Sequence, residues 1–208
     1  MTTIDFITLH ASDPAAAKEF YDDAFGLEGR IRVTGDHDPG SGFRGYTLSL
    51  TVAQPSTVSS LIDSALQAGA TTLKPVAKSF WGFGGVVRAP DGAIWKVATS
   101  SKKEVGSAAR QIDSIVLLLG ADDVLATKAA YVERGKAVGK SFGRKYVEFD
   151  MPASPIKLAL LGRRALAKDA GVAAEGSGAH GLVIGGDIAP FVDPDGFEWA
   201  SSAESAAR

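Results

Sequence analysis

The chain has 208 residues, 45% hydrophobic and 22% charged, with a formal net charge of −2. That length suits one large domain or two small ones, and the near-neutral charge gives no pull toward nucleic acid or an anionic membrane. Cysteine is absent, which excludes disulfides and thiolate chemistry. No signal-like start and no run of ~18 apolar residues is seen, so the expectation is a cytosolic protein with no membrane partner.

Residues 4–13, IDFITLHASD, are apolar and β-branched and end in a polar-small cluster, the mark of a strand. Residues 14–26 follow with an alanine-rich helical pattern. Pro14 sits in its first turn, Ser12 or Asp13 caps it, and Gly26 closes it. Strands are predicted at 29–34 and 45–52, on either side of the loop TGDHDPGSG. A helix is predicted at 56–68 and a strand at 85–88. Pro90-Asp91-Gly92 is strong turn chemistry and leads to a last strand, AIWKVAT.

Residues 100–111 are polar and small and read as a linker. The pattern then recurs. IDSIVLLLGAD at 112–122 is a strand, and 123–135 is a helix closed by Gly135, with Tyr131 placed as Tyr21 is in the first helix. Strands follow at 146–150, 156–161 and 180–186. A second turn, Pro194-Asp195-Gly196, joins APFV to FEWAS. The organisation is therefore an N-terminal unit at 1–100, a linker at 101–111, a shortened C-terminal unit at 112–200 and a tail at 201–208. The first unit has a helix and a strand where residues 187–191 of the second leave almost no room.

Four marks stand in order along the chain: Ser-Asp after the first strand, FY…FGL at 20–27, LQAGA at 66–70 and WGFGG…PDGAIW at 81–95. With them the chain resembles the vicinal oxygen chelate superfamily, also called the glyoxalase/bleomycin-resistance/dioxygenase family. The resemblance covers nearly everything except the linker and the tail. It implies an α+β fold of two tandem, trimmed glyoxalase-like units of paired βαβββ modules, with mixed curved sheets cupping a cavity.

The resemblance also implies a divalent metal, held by His, Gln or Glu early on a module's first strand and by a glutamate after the PDG turn. Here those positions fall on Phe6, Ser114, Lys96 and Ala200, with Tyr46 or Thr47 and Gly181 or Leu182 at the remaining strands. Phenylalanine cannot ligate, and lysine brings a positive charge to a cation site. Of the three histidines, His10 reads as a strand-end hydrogen-bonder and His37 as loop polarity. His180 is the best remaining ligand, with Glu148 and Glu198 as companions in principle. No metal, no cofactor and no catalytic residue is assigned.

Phe80, Trp81, Phe83 and Trp95 gather near the first turn and suit stacking on a planar ligand. Gly82, Gly84 and Gly85 read as a flexible loop that leaves room for it. Phe6, Thr8 and His10 share one face of the first strand because side chains alternate. The ligand-binding set is therefore Phe6, Thr8, His10, Trp81, Phe83, Arg88 and Trp95. For Trp95 a core position is an equal alternative, and Trp199 reads as core. The basic stretches Lys136, Lys140, Arg144, Lys145 and Arg163, Arg164 read as solvated faces.

The expected function is metal-free binding of an aromatic or apolar small molecule, of the bleomycin-resistance type. The alternatives are a metal-dependent lyase, isomerase or dioxygenase, and a scaffold that has filled its own pocket. Edges left by the missing elements favour a homodimer.

Overall fold

The computed structural model describes residues 3–27, 29–35, 40–80, 82–107 and 109–202. The first half runs β1 (Ile4–Ala11), α1 (Pro14–Phe25), β2 (Ile31–Gly35), β3 (Ser41–Gly42), β4 (Tyr46–Thr51), α2 (Pro55–Gln67), β5 (Thr71–Ser79), β6 (Gly82–Arg88) and β7 (Ile94–Thr99). The second runs β8 (Ser114–Ala121), α3 (Val124–Glu133), β9 (Val138–Ser141), β10 (Tyr146–Phe149), β11 (Ile156–Gly162), α4 (Arg163–Ala170), β12 (Gly176–Ser177), β13 (Leu182–Gly186), β14 (Phe191–Val192) and β15 (Glu198–Ser201). No helix among the described residues is long and apolar enough to cross a membrane.

The helix starts follow from local chemistry. Asp13 and Asp123 cap α1 and α3, accepting from the backbone N–H of Ala16 and of Leu125. Gly26 ends α1 in the left-handed region at φ 65°, which costs glycine nothing. Gln54 opens α2 without a side-chain cap, and Glu104 supplies one from the 100–111 segment by accepting from Ser56 N–H at 3.0 Å. Arg110 donates to the end carbonyl of Ala24 at 2.7 Å. The segment between the halves is thus held against the ends of both first-half helices.

Two large sheets carry the fold, one of eight strands in the order β5-β6-β7-β4-β8-β11-β10-β9 and one of five in the order β14-β15-β13-β1-β2. Each draws on both halves of the chain. β4 pairs antiparallel with β8, from Tyr46 opposite Leu119 to Thr51 opposite Ser114. β1 pairs antiparallel with β13, with Ile7 opposite Ile184. The complete modules β4-α2-β5-β6-β7 and β8-α3-β9-β10-β11 therefore share the large sheet. The trimmed ones, β1-α1-β2 and β13-β14-β15, share the small sheet. The chain is α+β with mixed sheets, as the resemblance implies.

One core lies between the sheets and the helices. Leu48, Leu50, Trp95, Leu117, Leu119, Leu158 and Leu160 of the large sheet join Ile7, Leu9, Ile184 and Trp199 of the small one. Alternation sends the residues between them outward: Leu118, Leu161, Val86 and Ile94 belong to a second cluster on the opposite face of the large sheet.

The two PDG turns are pinned alike. Tyr21 on α1 donates to Asp91 at 2.6 Å and lies 5.4 Å from the Trp95 ring. Tyr131 on α3 donates to Asp193 at 2.5 Å and lies 5.5 Å from Trp199. The bonding aspartate differs: in the second copy it stands two residues earlier, and Asp195 instead accepts from Thr127 at 2.5 Å.

Besides the short strands β3, β9 and β12, three elements depart from the sequence reading. β5 lies where no strand is expected, because TTLKPVAKS does not alternate; as an edge strand it is mostly exposed and tolerates Pro75. α4 is unexpected because no capping residue announces it and its apolar residues, Leu166, Ala167 and Ala170, are few. GFGG is strand β6 and not a loop. A Cβ on Gly84 would lie 2.9 Å from the Val97 carbonyl oxygen, and one on Gly85 2.9 Å from Val76. Close packing against β7 and β5 explains these glycines.

Candidate functional site

A groove opens on the face of the large sheet opposite the main core. Its floor at the first-half end consists of Gly82, Gly84 and Val86 on β6 and Lys96 and Ala98 on β7, paired Gly84 to Ala98 and Val86 to Lys96. α4 is seated on this face. Leu166, Ala167 and Ala170 are buried there with Val86, Ile94 and Phe43. A Cβ on Gly120 of β8 would lie 2.8 Å from the Gly45 carbonyl oxygen and 3.1 Å from the Arg163 Cα at the start of α4, so glycine lets both approach.

Two lysines fasten the far end of α4. Lys74 donates to the carbonyls of Lys168 and Asp169 at 2.9 and 2.6 Å, where the helix dipole is negative. Lys96 forms an ion pair with Asp169 at 2.8 Å. Beside this end an open groove of about 340 Å³ remains, with Lys74, Lys78, Lys96 and Asp169 at its rim. Small residues floor it and cations border it, so it offers apolar contact at its base and charge at its lip.

The residues expected to bind a ligand fall on separate surfaces. Phe6, Thr8 and His10 lie on the face of β1 turned away from the core members Ile7 and Leu9. The Arg32 guanidinium covers Phe6 at 3.5 Å, and the ring rests against Gly185, where a Cβ would come within 2.1 Å. Phe83 borders the groove, although its ring packs toward the main core. Arg88 ends β6 and pairs across to Ile94. Trp95 is fully buried in the core against Tyr21 and Phe25. Trp81 and His37 lie outside the described residues.

The metal positions implied by the resemblance do not fit a metal. Lys96 is engaged with Asp169, Ser114 bonds Thr51, and the Tyr46 ring belongs to the core. Both ring nitrogens of His180 face backbone carbonyls, of Arg44 at 2.6 Å and of Asp195 at 2.9 Å, and its ring stacks on Phe197. Its lone pairs are therefore not offered to an ion. Glu148 and Glu198 stand in different sheets. Among the described residues no three His, Asp or Glu side chains converge where an ion would sit.

Two basic residues read as solvated are held by the fold: Arg163, which donates to the Phe43 carbonyl, and Lys136, which is buried. Lys136 follows Gly135 where Leu27 follows Gly26 in the first half, and both are about 3% exposed. Among the described residues the Lys136 Nζ has no hydrogen-bond partner, and it lies 4.3 Å over the Trp199 ring. Burial pushes its pKa down from 10.5 to about 8. Burial, with Asp193 nearby, likewise drives the Tyr131 phenol well above its usual range.

No family model matches the chain, and the search of curated proteins found no match. Among solved structures, the chain is similar to glyoxalase I from Zea mays at 12% identity and a TM-score of 0.62, over 97% of this chain and 92% of that one. A point mutant of the same maize protein aligns over 100% and 96% of the two chains, again at 12% identity and a TM-score of 0.62. A putative dioxygenase from Bacillus subtilis aligns at 13% identity and a TM-score of 0.54, over 88% of this chain and 69% of that one. At such identities the likeness is one of fold.

Proposed function

We propose that this chain is a metal-independent small-molecule-binding protein of the glyoxalase/bleomycin-resistance type, needing no cofactor. Its ligand is an apolar or aromatic molecule, such as an antibiotic or other natural product held in sequestration. The ligand lies on the glycine and alanine floor of the concave groove with an acidic substituent toward the lysine rim. The observation that carries this reading is the ion pair between Lys96 and Asp169, which occupies the strand position where the family's metal enzymes hold a ligand. The outer face of the small sheet, with Phe6, Thr8 and His10, is the related surface of the second sheet and a further candidate for contact.

Thermal shift and intrinsic fluorescence across a panel of aromatic acids and natural products test the idea. Saturable binding at one site per chain, abolished by Ala98→Phe on the floor, is the expected result. About one Ni, Zn, Fe or Mn per chain after purification would instead revive the metal-dependent lyase, isomerase or dioxygenase reading. A second reading has its own support. α4 fills much of the bowl with Leu166, Ala167 and Ala170, so a non-catalytic scaffold is the alternative that a silent panel would favour. The free edges of β2 and β14 suit pairing with a second copy, which light scattering would report as a homodimer.

A further inference from the structure

We infer a second site, for a phosphate-bearing small molecule, at the opposite end of α4. β8 and β11 run parallel and finish side by side, with Ala121 opposite Gly162. The β9–β10 turn, closed by Lys145 N–H donating to the Phe142 carbonyl at 3.1 Å, overhangs the same end of the sheet. Between them lies a groove of about 500 Å³ bordered by Arg144, Lys145, Arg163 and Arg164, with Asp122 as its one carboxylate. The fold thus gathers two basic stretches, 18 residues apart in sequence, around one concavity in a chain whose net charge is −2.

The four cations differ in what holds them. Arg163 is fixed: its Nε donates to the Ala174 carbonyl at 3.2 Å, a terminal guanidinium nitrogen donates to the Phe43 carbonyl at 2.7 Å, and its guanidinium lies 5.3 Å from the Phe43 ring. Arg144, Lys145 and Arg164 are exposed, and their side chains have no ion-pair partner among the described residues. Uncompensated like charges around a concavity repel one another and raise the local concentration of anions. Arginine forks match phosphate oxygens in pairs. The groove and its cations carry the assignment. The start of α4, where Gly162 provides no side-chain cap, adds positive potential at the same rim.

Calorimetric titration with pyrophosphate at low ionic strength tests the site. The Arg144→Gln/Arg164→Gln double variant is the key comparison, because both residues are exposed and their replacement leaves the core intact. Circular dichroism confirms its fold. The expected result is binding at one site per chain that weakens as salt is raised and falls at least about tenfold in the double variant, the loss of one charge-assisted contact or more. Lys78→Gln, at the other groove, should leave it unchanged. A lipid headgroup offers the same chemistry, so phosphatidylcholine vesicles with and without phosphatidic acid form a second arm. Capture by the acidic vesicles alone, equal pyrophosphate affinity in the double variant, or no binding of pyrophosphate would each overturn the proposal. The test reads independently of the apolar groove, since Ala98→Phe should not affect it.

Discussion

Replacing Lys136 with methionine should stabilise the protein at neutral pH. The ammonium is buried, has no hydrogen-bond acceptor among the described residues and lies 4.3 Å over the face of Trp199. Its pKa falls from 10.5 in the open chain to about 8 in the fold. At about 1.4 kcal/mol per unit, holding the charged form costs the fold about 3 kcal/mol at pH 7. Lost cation–π attraction offsets about 1 kcal/mol of what methionine regains, leaving a net gain of about 1–3 kcal/mol. Because the folded pKa is depressed, the burden is absent above 10.5 and complete once pH has fallen through about 8. Urea denaturation of both proteins between neutral and alkaline pH therefore has a defined outcome. The wild type gains on the variant as pH rises and the gap closes. A variant that is no more stable at pH 7, or a gap that ignores pH, would refute the reasoning.

Tyr131→Phe should cost about 1–3 kcal/mol by urea denaturation, since Asp193 loses a buried donor and Trp199 Nε1 loses its acceptor at 3.3 Å. Burial already raises the Asp193 pKa, so its ionised form burdens the fold, and that share of stability disappears as pH rises through the raised value. The loss in Tyr131→Phe should accordingly be larger at neutral than at acid pH. Leu166→Ala removes a fully buried anchor of α4 and should cost about 2–4 kcal/mol in the same assay, with faster hydrogen exchange confined to that helix. Gly185→Ala places a methyl against the Phe6 ring and should cost about 1–3 kcal/mol. Combined with Phe6→Ala, its cost should shrink, and full additivity would contradict the contact.

What the sequence revealed is what local chemistry encodes. Asp13, Pro14 and Gly26 mark α1, Asp123 and Gly135 mark α3, and the PDG turns mark the closing hairpins, so these elements and their order were readable. The alternation that places Phe6, Thr8 and His10 opposite Ile7 and Leu9 was readable too. Partnerships over long sequence separation were not. Nothing in 46–51 states that its neighbour will be 114–121. Trp95 and Phe83 stand close along the chain, but the strand register turns their rings into the core. Lys136 resembled its exposed basic neighbours, and only comparison with Leu27 at the matching helix end hinted at burial. α4 hides because it is only eight residues long and Gly162 gives it no side-chain cap, and the two lysines that fasten it are distant in sequence.

The exchange of strands between halves has a bearing on how the molecule comes into being. While only the first hundred residues have left the ribosome, β1 and β4 both lack the neighbours, β13 and β8, that will zip along them. Neither bowl can close until the later portion arrives, so the nascent polypeptide must wait with two sticky borders bare. Severing the backbone near residue 106 after folding should accordingly leave the pieces clasped, whereas either piece made alone holds half of the large sheet with its joining strand, β4 or β8, bare.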